Sequence, residues 1–193
     1  MCVGGENLPP ELRRIAEEEL GETDHGRADA LARLNQLLDG CPKLSSQRDT
    51  AFLLRFLRVR KYNVDAALAT IKAYYKNRAA CPSIYDDFLP SNAKPAARTV
   101  CAVLPQRDVH GRPILLVKAG SWMPSLASHS EVQLALCLAL EYLAADPSSQ
   151  TVGISLIFDY EGFSMDKLFS VNIALLKRCV EFILVSSKFL CYT

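Results

Sequence analysis

The chain has 193 residues, half of them hydrophobic, and a formal net charge of +1 at pH 7. So small a charge gives no global attraction to nucleic acid or to an anionic membrane, so any such binding has to be local, and nucleic acid is not an expected partner. Seven cysteines lie far apart, with no C-x-x-C and no nearby histidine pair, which argues against a disulfide framework or a zinc site and for reduced thiols acting as small apolar residues.

Met1 to Gly5 has neither the basic nor the apolar stretch of a targeting signal, and Met1 to Pro9 is expected to be disordered. Pro10 suits the first position of a short charged helix that ends at Gly21. Gly21 to Gly26 reads as a turn-rich link, and the next helix, closed by Gly40, carries Leu31, Leu34, Leu37 and Leu38 as its apolar stripe.

The stretch Asp49 to Lys61, DTAFLLRFLRVRK, organises the rest. On a helix its residues divide into an apolar arc of Phe52, Leu53, Phe56 and Leu57 and a basic arc of Arg48, Arg55 and Arg58. The apolar arc requires a core, and the basic arc is left for solvent, carboxylates or phosphates. Arg60 would project from the apolar arc, so the helix is expected to end near Val59 or Arg60. Asn63 then caps a second helix, about Val64 to Arg78, with Ala67, Leu68, Ile71, Tyr74 and Tyr75 at core spacing. The two form an αα-hairpin.

Pro82 to Pro95, rich in Pro, Ser and Asp, reads as a linker and a module boundary. Beyond it, Thr99–Leu104 and Pro113–Lys118 are β-prone and joined by a polar turn containing Asp108, His110 and Gly111. Ser130 to Ala145 is apolar almost all round, broken mainly by Glu131, Gln133 and Glu141, and is expected to be a helix buried on more than one side. Val152 to Phe158 reads as a strand covered on both faces, followed by a helix from Ser164 to about Ile183. Asp159 and Glu161 at the strand's end form a carboxylate pair, for which structural hydrogen bonding is the better account. No phosphate loop, G-x-S-x-G elbow, metal-ligand set or activated nucleophile accompanies them, so no enzyme, metal or cofactor is expected. No apolar run reaches the roughly 20 residues of a membrane span.

The block DTAFLLRFLRVRKYNVDAALATIKAYYKNRAACPSI resembles the helical module of the CRAL-TRIO (Sec14-like) lipid-binding family, closest to its α-tocopherol transfer protein branch. VLPQRDVHGRPILLVKAGSWMPS and GISLIFDYEGF follow in the family's order, and the resemblance runs from about Leu44 to Ile183. It implies an α/β lipid-binding domain with an incomplete sheet, preceded by an all-α bundle. The expected division is a disordered start (1–9), a helical module (10–81), a partial lipid-binding domain (96–183) and a divergent tail (184–193).

The resemblance further implies a cytoplasmic, non-enzymatic carrier of a tocopherol, retinoid or similar lipid, in transient contact with phosphoinositide-containing membranes. Leu136, Cys137 and Leu140 on the buried helix, with Ile154, Leu156 and Phe158 on the strand, match positions that line the family's cavity. From the residues alone, the same six are ordinary core. Gln133 stands where an aromatic is expected, and Leu136 and Leu140 replace small hydroxylated residues, so a less polar lipid than tocopherol is expected. Arg60, with Arg58 and Lys61 beside it, matches a basic head-group patch whose other members are absent. After Ile183 the chain departs from the family, which implies a fragment, a truncated isoform or an incomplete gene model. It would then have an unpaired sheet edge and hold its lipid domain poorly. The competing reading is an interaction or regulatory module that carries no lipid.

Overall fold

In a computed structural model, residues 8–186 and 189–192 are described, with side chains described for residues 8–181. Of the start expected to be disordered (1–9), residues 1–7 lie outside the described residues, whereas Leu8 is buried; the side chains of the expected tail also lie outside the described residues. Pro10 opens helix α1 (Pro10–Ile15), which continues as a π turn, Ala16–Leu20. Gly21, with φ of 73°, closes that turn in the left-handed region. Leu8, Ala16 and Leu20 bury against one another.

Helix α2 (Asp24–Asp39) starts inside the stretch expected to be a link, because the Thr23 hydroxyl accepts a hydrogen bond from the Gly26 amide at 3.0 Å and so caps it. The organising stretch forms α3 (Thr50–Val59), capped by Asp49, whose carboxylate accepts from the Phe52 amide at 2.9 Å. It ends at Val59 as expected. The chain then turns through Lys61 and Tyr62, with φ values of 47° and 60°. Asn63 caps α4 (Val64–Ala79) by accepting from Ala66 at 3.0 Å.

The Pro82–Pro95 stretch is not a solvated linker. Two prolines start the short helices α5 (Pro82–Tyr85) and α6 (Pro95–Arg98), and Cys81 and Ile84 are buried, with Tyr85 and Phe88 packed on the core. The apolar residues among its prolines are what draw it in. Strand β1 (Cys101–Arg107) then pairs antiparallel with β2 (Pro113–Lys118), with Val103 opposite Leu115. Asp108 holds the turn between them. Its carboxylate accepts from the amides of His110 and Arg112, both at 2.9 Å, and from the Ser155 hydroxyl at 2.7 Å.

A capping box between Ser128 and Glu131 starts α7 (His129–Ala144). The Asp146 carboxylate caps α8 (Pro147–Val152), so Val152 closes a helix instead of opening a strand, and Gly153, with φ of 93°, turns the chain into β3 (Ile154–Asp159). The expected single helix after β3 is broken at Ser170–Asn172 into α9 (Met165–Phe169) and α10 (Ile173–Ser186). The Asn172 carboxamide restarts it by accepting from the Leu175 amide at 3.0 Å.

The sheet has the order β1-β2-β3-β4, β4 being Phe189–Tyr192. β3 runs parallel to β2 on one side and to β4 on the other, so the edge expected beside β3 is paired. One sheet face, with Leu115, Val117, Ile154 and Leu156, is buried in the same apolar cluster as α7. The opposite face is not covered as expected: Ile157 is 36% exposed. A single cluster of buried side chains runs from Leu34 and Leu38 through Leu53, Phe56, Leu57 and Ile71 to the α7 and β3 residues.

Gly120 sits where the loop after β3 passes, and a Cβ there would lie 1.5 Å from the Glu161 carbonyl oxygen. Gly120→Ala therefore forces backbone apart and is expected to lower the melting temperature by several degrees in a thermal scan, at a cost of about 2 kcal/mol or more.

Burial raises the Asp108 carboxyl's pKa, but the hydrogen bonds from Ser155, Arg112 and His110 outweigh it and hold the pKa below the usual value. A depressed carboxyl pKa contributes stability that is present above its unfolded value, near pH 4, and is lost as pH falls through the folded one. Asp108→Ala is expected to cost about 1 to 2 kcal/mol at pH 7, with the gap to the parent narrowing below about pH 4 in denaturant titrations.

Candidate functional site

The six residues matched to a ligand cavity converge. Leu136, Cys137 and Leu140 occupy one side of α7 at helical spacing, and Ile154, Leu156 and Phe158 alternate along β3 onto the same sheet face. All six belong to one apolar cluster, with Phe158 half-buried and the other five buried. Cys137 accepts a hydrogen bond from the Tyr85 hydroxyl at 3.6 Å, and Cys179 of α10 lies in the same cluster.

Three surface cavities, of about 290, 390 and 430 Å³, lie elsewhere: between α3 and α7, between the β1–β2 hairpin and α7–α8, and beside Lys43 and Lys72. None of the three is lined by the six residues.

The basic residues separate. Arg58 is withdrawn from any head-group patch: it is 1% exposed, and its guanidinium donates to both Glu22 carboxylate oxygens at 2.7 Å and to the Gln150 carbonyl at 2.6 Å. Its position on α3 turns it toward α8 and the α1–α2 corner, so it never reaches the surface. Arg60 is half-buried and donates through Nε to the Thr70 hydroxyl at 2.8 Å. Among the described residues, its two terminal nitrogens make no hydrogen bond or ion pair. Lys61 is exposed at the tip of the α3–α4 turn, with no ion pair among the described residues.

Arg55 is likewise turned inward. Its guanidinium meets the Glu141 carboxylate at 2.7 and 3.4 Å and lies over the rings of Phe52, Phe56 and Tyr74. The Tyr74 hydroxyl also donates to Glu141, at 2.9 Å, and Arg78 approaches it at 3.6 Å. Burial first, and then the Glu141 charge, push the Tyr74 phenol up to about 12.

Sequence reasoning noted Glu141 only as a polar break in an apolar helix and Glu22 only as part of a turn-rich link, and gave Gln150 no role. A carboxylate on a helix buried on several sides was itself the signal, since burying one requires a partner.

Helices tied together by buried ion pairs, packed on a mixed sheet with apolar side chains converging between α7 and β3, define an α/β protein. Residues 97–185 match the family described as CRAL/TRIO domain, and that segment belongs to the CRAL/TRIO family.

The chain is 34% identical over 163 residues to "Alpha-tocopherol transfer protein-like" of Homo sapiens, covering 83% of this chain and 48% of that protein. It is 30% identical over 178 residues to "Clavesin-1" of Rattus norvegicus, covering 90% of this chain and 50% of that protein. "Clavesin-2" of the same species is 27% identical over 178 residues, covering 90% of this chain and 54% of that protein. The chain thus spans about half the length of the curated relatives it matches.

Removing one member of a buried ion pair strands the other. Glu141→Leu is expected to cost about 3 to 5 kcal/mol, whereas Arg55→Met with Glu141→Leu together recover most of that loss. Denaturant unfolding of the two single variants and the double variant measures both.

Proposed function

We propose that this chain takes part in non-enzymatic binding and intermembrane transfer of a small hydrophobic lipid, of the tocopherol or retinoid kind. The observation that carries this reading is the coincidence of the CRAL/TRIO match with the converging apolar side chains of α7 and β3. The physical gain is large: apolar surface in water costs about 25 cal/mol per Å², and a pocket opened between Leu136, Leu140, Leu156 and Phe158, which share one packed cluster in this structure, removes that cost during transit. No bond is made or broken. The whole reading places the helical module at 10–81 and the lipid-binding part at 96–183, in a protein that works in the cytoplasm.

Membrane contact is assigned to the α3–α4 turn. Arg60, anchored through Nε, presents its terminal nitrogens, and exposed Lys61 adds a second cation, a pairing suited to a phosphoinositide phosphate. Two consecutive residues with positive φ hold that turn in one shape, which supports the assignment to a binding element. Among the described residues no helix is long and apolar enough to cross a membrane, so contact of this kind is at the surface.

A second reading, an interaction module without cargo, draws on the outward side of α9–α10. There Phe169 and Ile173 are 81% and 77% exposed, with Leu176 and Val180 next along the same stripe.

Mass spectrometry of lipid extracted from the monodisperse gel-filtration peak separates the two. One stoichiometric hydrophobic species is the expected result, and a folded peak without lipid favours the interaction module. In vesicle flotation, Arg60→Ala is expected to reduce binding to phosphoinositide vesicles several-fold and to leave neutral vesicles unaffected. No change would remove Arg60 from the membrane contact.

A further inference from the structure

Gln133 lies on the side of α7 that carries Leu136, Cys137 and Leu140, three, four and seven residues before them. It is 4% exposed. One atom of its carboxamide lies 3.1 Å from Nε2 of His129, and the other, placed as Oε1, has no hydrogen-bond partner. A buried amide atom without a partner costs roughly 1 to 3 kcal/mol, so the position asks what meets it.

The local bonding identifies the free atom. The Asn172 backbone amide donates to Nδ1 of His129 at 3.3 Å, so that nitrogen carries no proton. Burial holds the His129 pKa below its usual value, so the ring is neutral at pH 7 and its one proton sits on Nε2. A protonated Nε2 requires an acceptor, which is the carboxamide oxygen. The amide group is therefore turned with its oxygen on His129, and its NH2 takes the place of the atom that has no hydrogen-bond partner. The chain Asn172 to His129 to Gln133 is polarised in one direction and ends on a donor, on the side of α7 that carries Leu136, Cys137 and Leu140.

We propose that Gln133 is a specificity residue whose free NH2 donates to an oxygen of the bound lipid. This rests on the lipid-binding reading above and narrows its ligand class to lipids bearing an acceptor oxygen, such as a carbonyl, ether or hydroxyl, within the apolar site. Pure hydrocarbon leaves the donor unsatisfied and is disfavoured, in contrast to the less polar cargo that the leucines alone lead one to expect.

The test incubates the purified chain with phosphatidylcholine vesicles containing equal amounts of a long-chain methyl ketone and the alkane of the same length. Protein is reisolated by gel filtration and the retained probes are counted by mass spectrometry. The parent chain is expected to retain the ketone about fivefold to tenfold over the alkane, the effect of one hydrogen bond. Gln133→Met, which keeps the side chain's length and removes the amide, is expected to bring that ratio near one while retaining the alkane.

Equal retention by the parent chain overturns the assignment while leaving lipid binding in place. So does a ratio unchanged in Gln133→Met. Retention of neither probe by a folded parent chain overturns the lipid-binding reading and this assignment with it. The parent chain's ratio needs no variant, so a Gln133→Met protein that fails to fold leaves the test decisive.

Discussion

Two buried arginines, one helical turn apart on α3, hold the architecture together. Arg58 reaches Glu22 and Gln150, and Arg55 reaches Glu141, so one short helix is tied to the α1–α2 corner, to α8 and to α7. Each charge pays a desolvation penalty that only a well-placed carboxylate offsets. These pairs therefore do less for raw stability than for uniqueness: apolar α3 could slide or rotate against its neighbours at little cost in area, but the two guanidinium forks allow one arrangement. The continuous apolar cluster from α2 to β3 is then packed around that fixed geometry.

The helical hairpin was legible in the sequence because every device that makes it is local. Asp49 and Asn63 cap the helices, Arg60 stops the first one, and the spacing of Leu53, Phe56, Leu57, Ala67, Ile71 and Tyr74 marks the core. The strands β1 and β2 and the buried helix α7 were legible for the same reason. The carboxylates that receive Arg55 and Arg58 are 86 and 36 residues away, and nothing local announces such a partner. The basic arc was thus seen, and carboxylates were named among its possible partners, but it was not assigned to the interior. Val152 was misread because alternation alone cannot tell the end of a short capped helix from the start of a strand. The break at Ser170–Asn172 rests on a side-chain cap inside an otherwise apolar run.

The candidate site was legible only in part. The residues of α7 and β3 follow from helical and strand periodicity, but periodicity cannot separate core from ligand wall. The family resemblance is what proposes that distinction, and the role proposed for Gln133 gives the candidate site a polar end. Gln133 first counted as a departure from an aromatic; its meaning depends on His129 and on the Asn172 amide, 43 residues further along the chain than His129. The expected basic patch contracted in the opposite direction: Arg58 lies in the interior, and Arg60 and Lys61 alone carry the proposed membrane contact at the turn.

The ion pair at Glu141 also fixes which wall can yield. Glu141 follows Leu140 directly, so α7 cannot shift outward without drawing a carboxylate off Arg55, Tyr74 and Arg78 together. The helix α10 opposite carries no buried ion pair among the described contacts: the Asn77 carboxamide of α4 donates to its Arg178 carbonyl, and at its start the Asn172 amide donates to His129 of α7, with Cys179 packed behind. Buried charge thus pins α7 and not α10, so under the lipid-carrier reading proposed above any widening of the space between α7 and β3 falls to the α10 side.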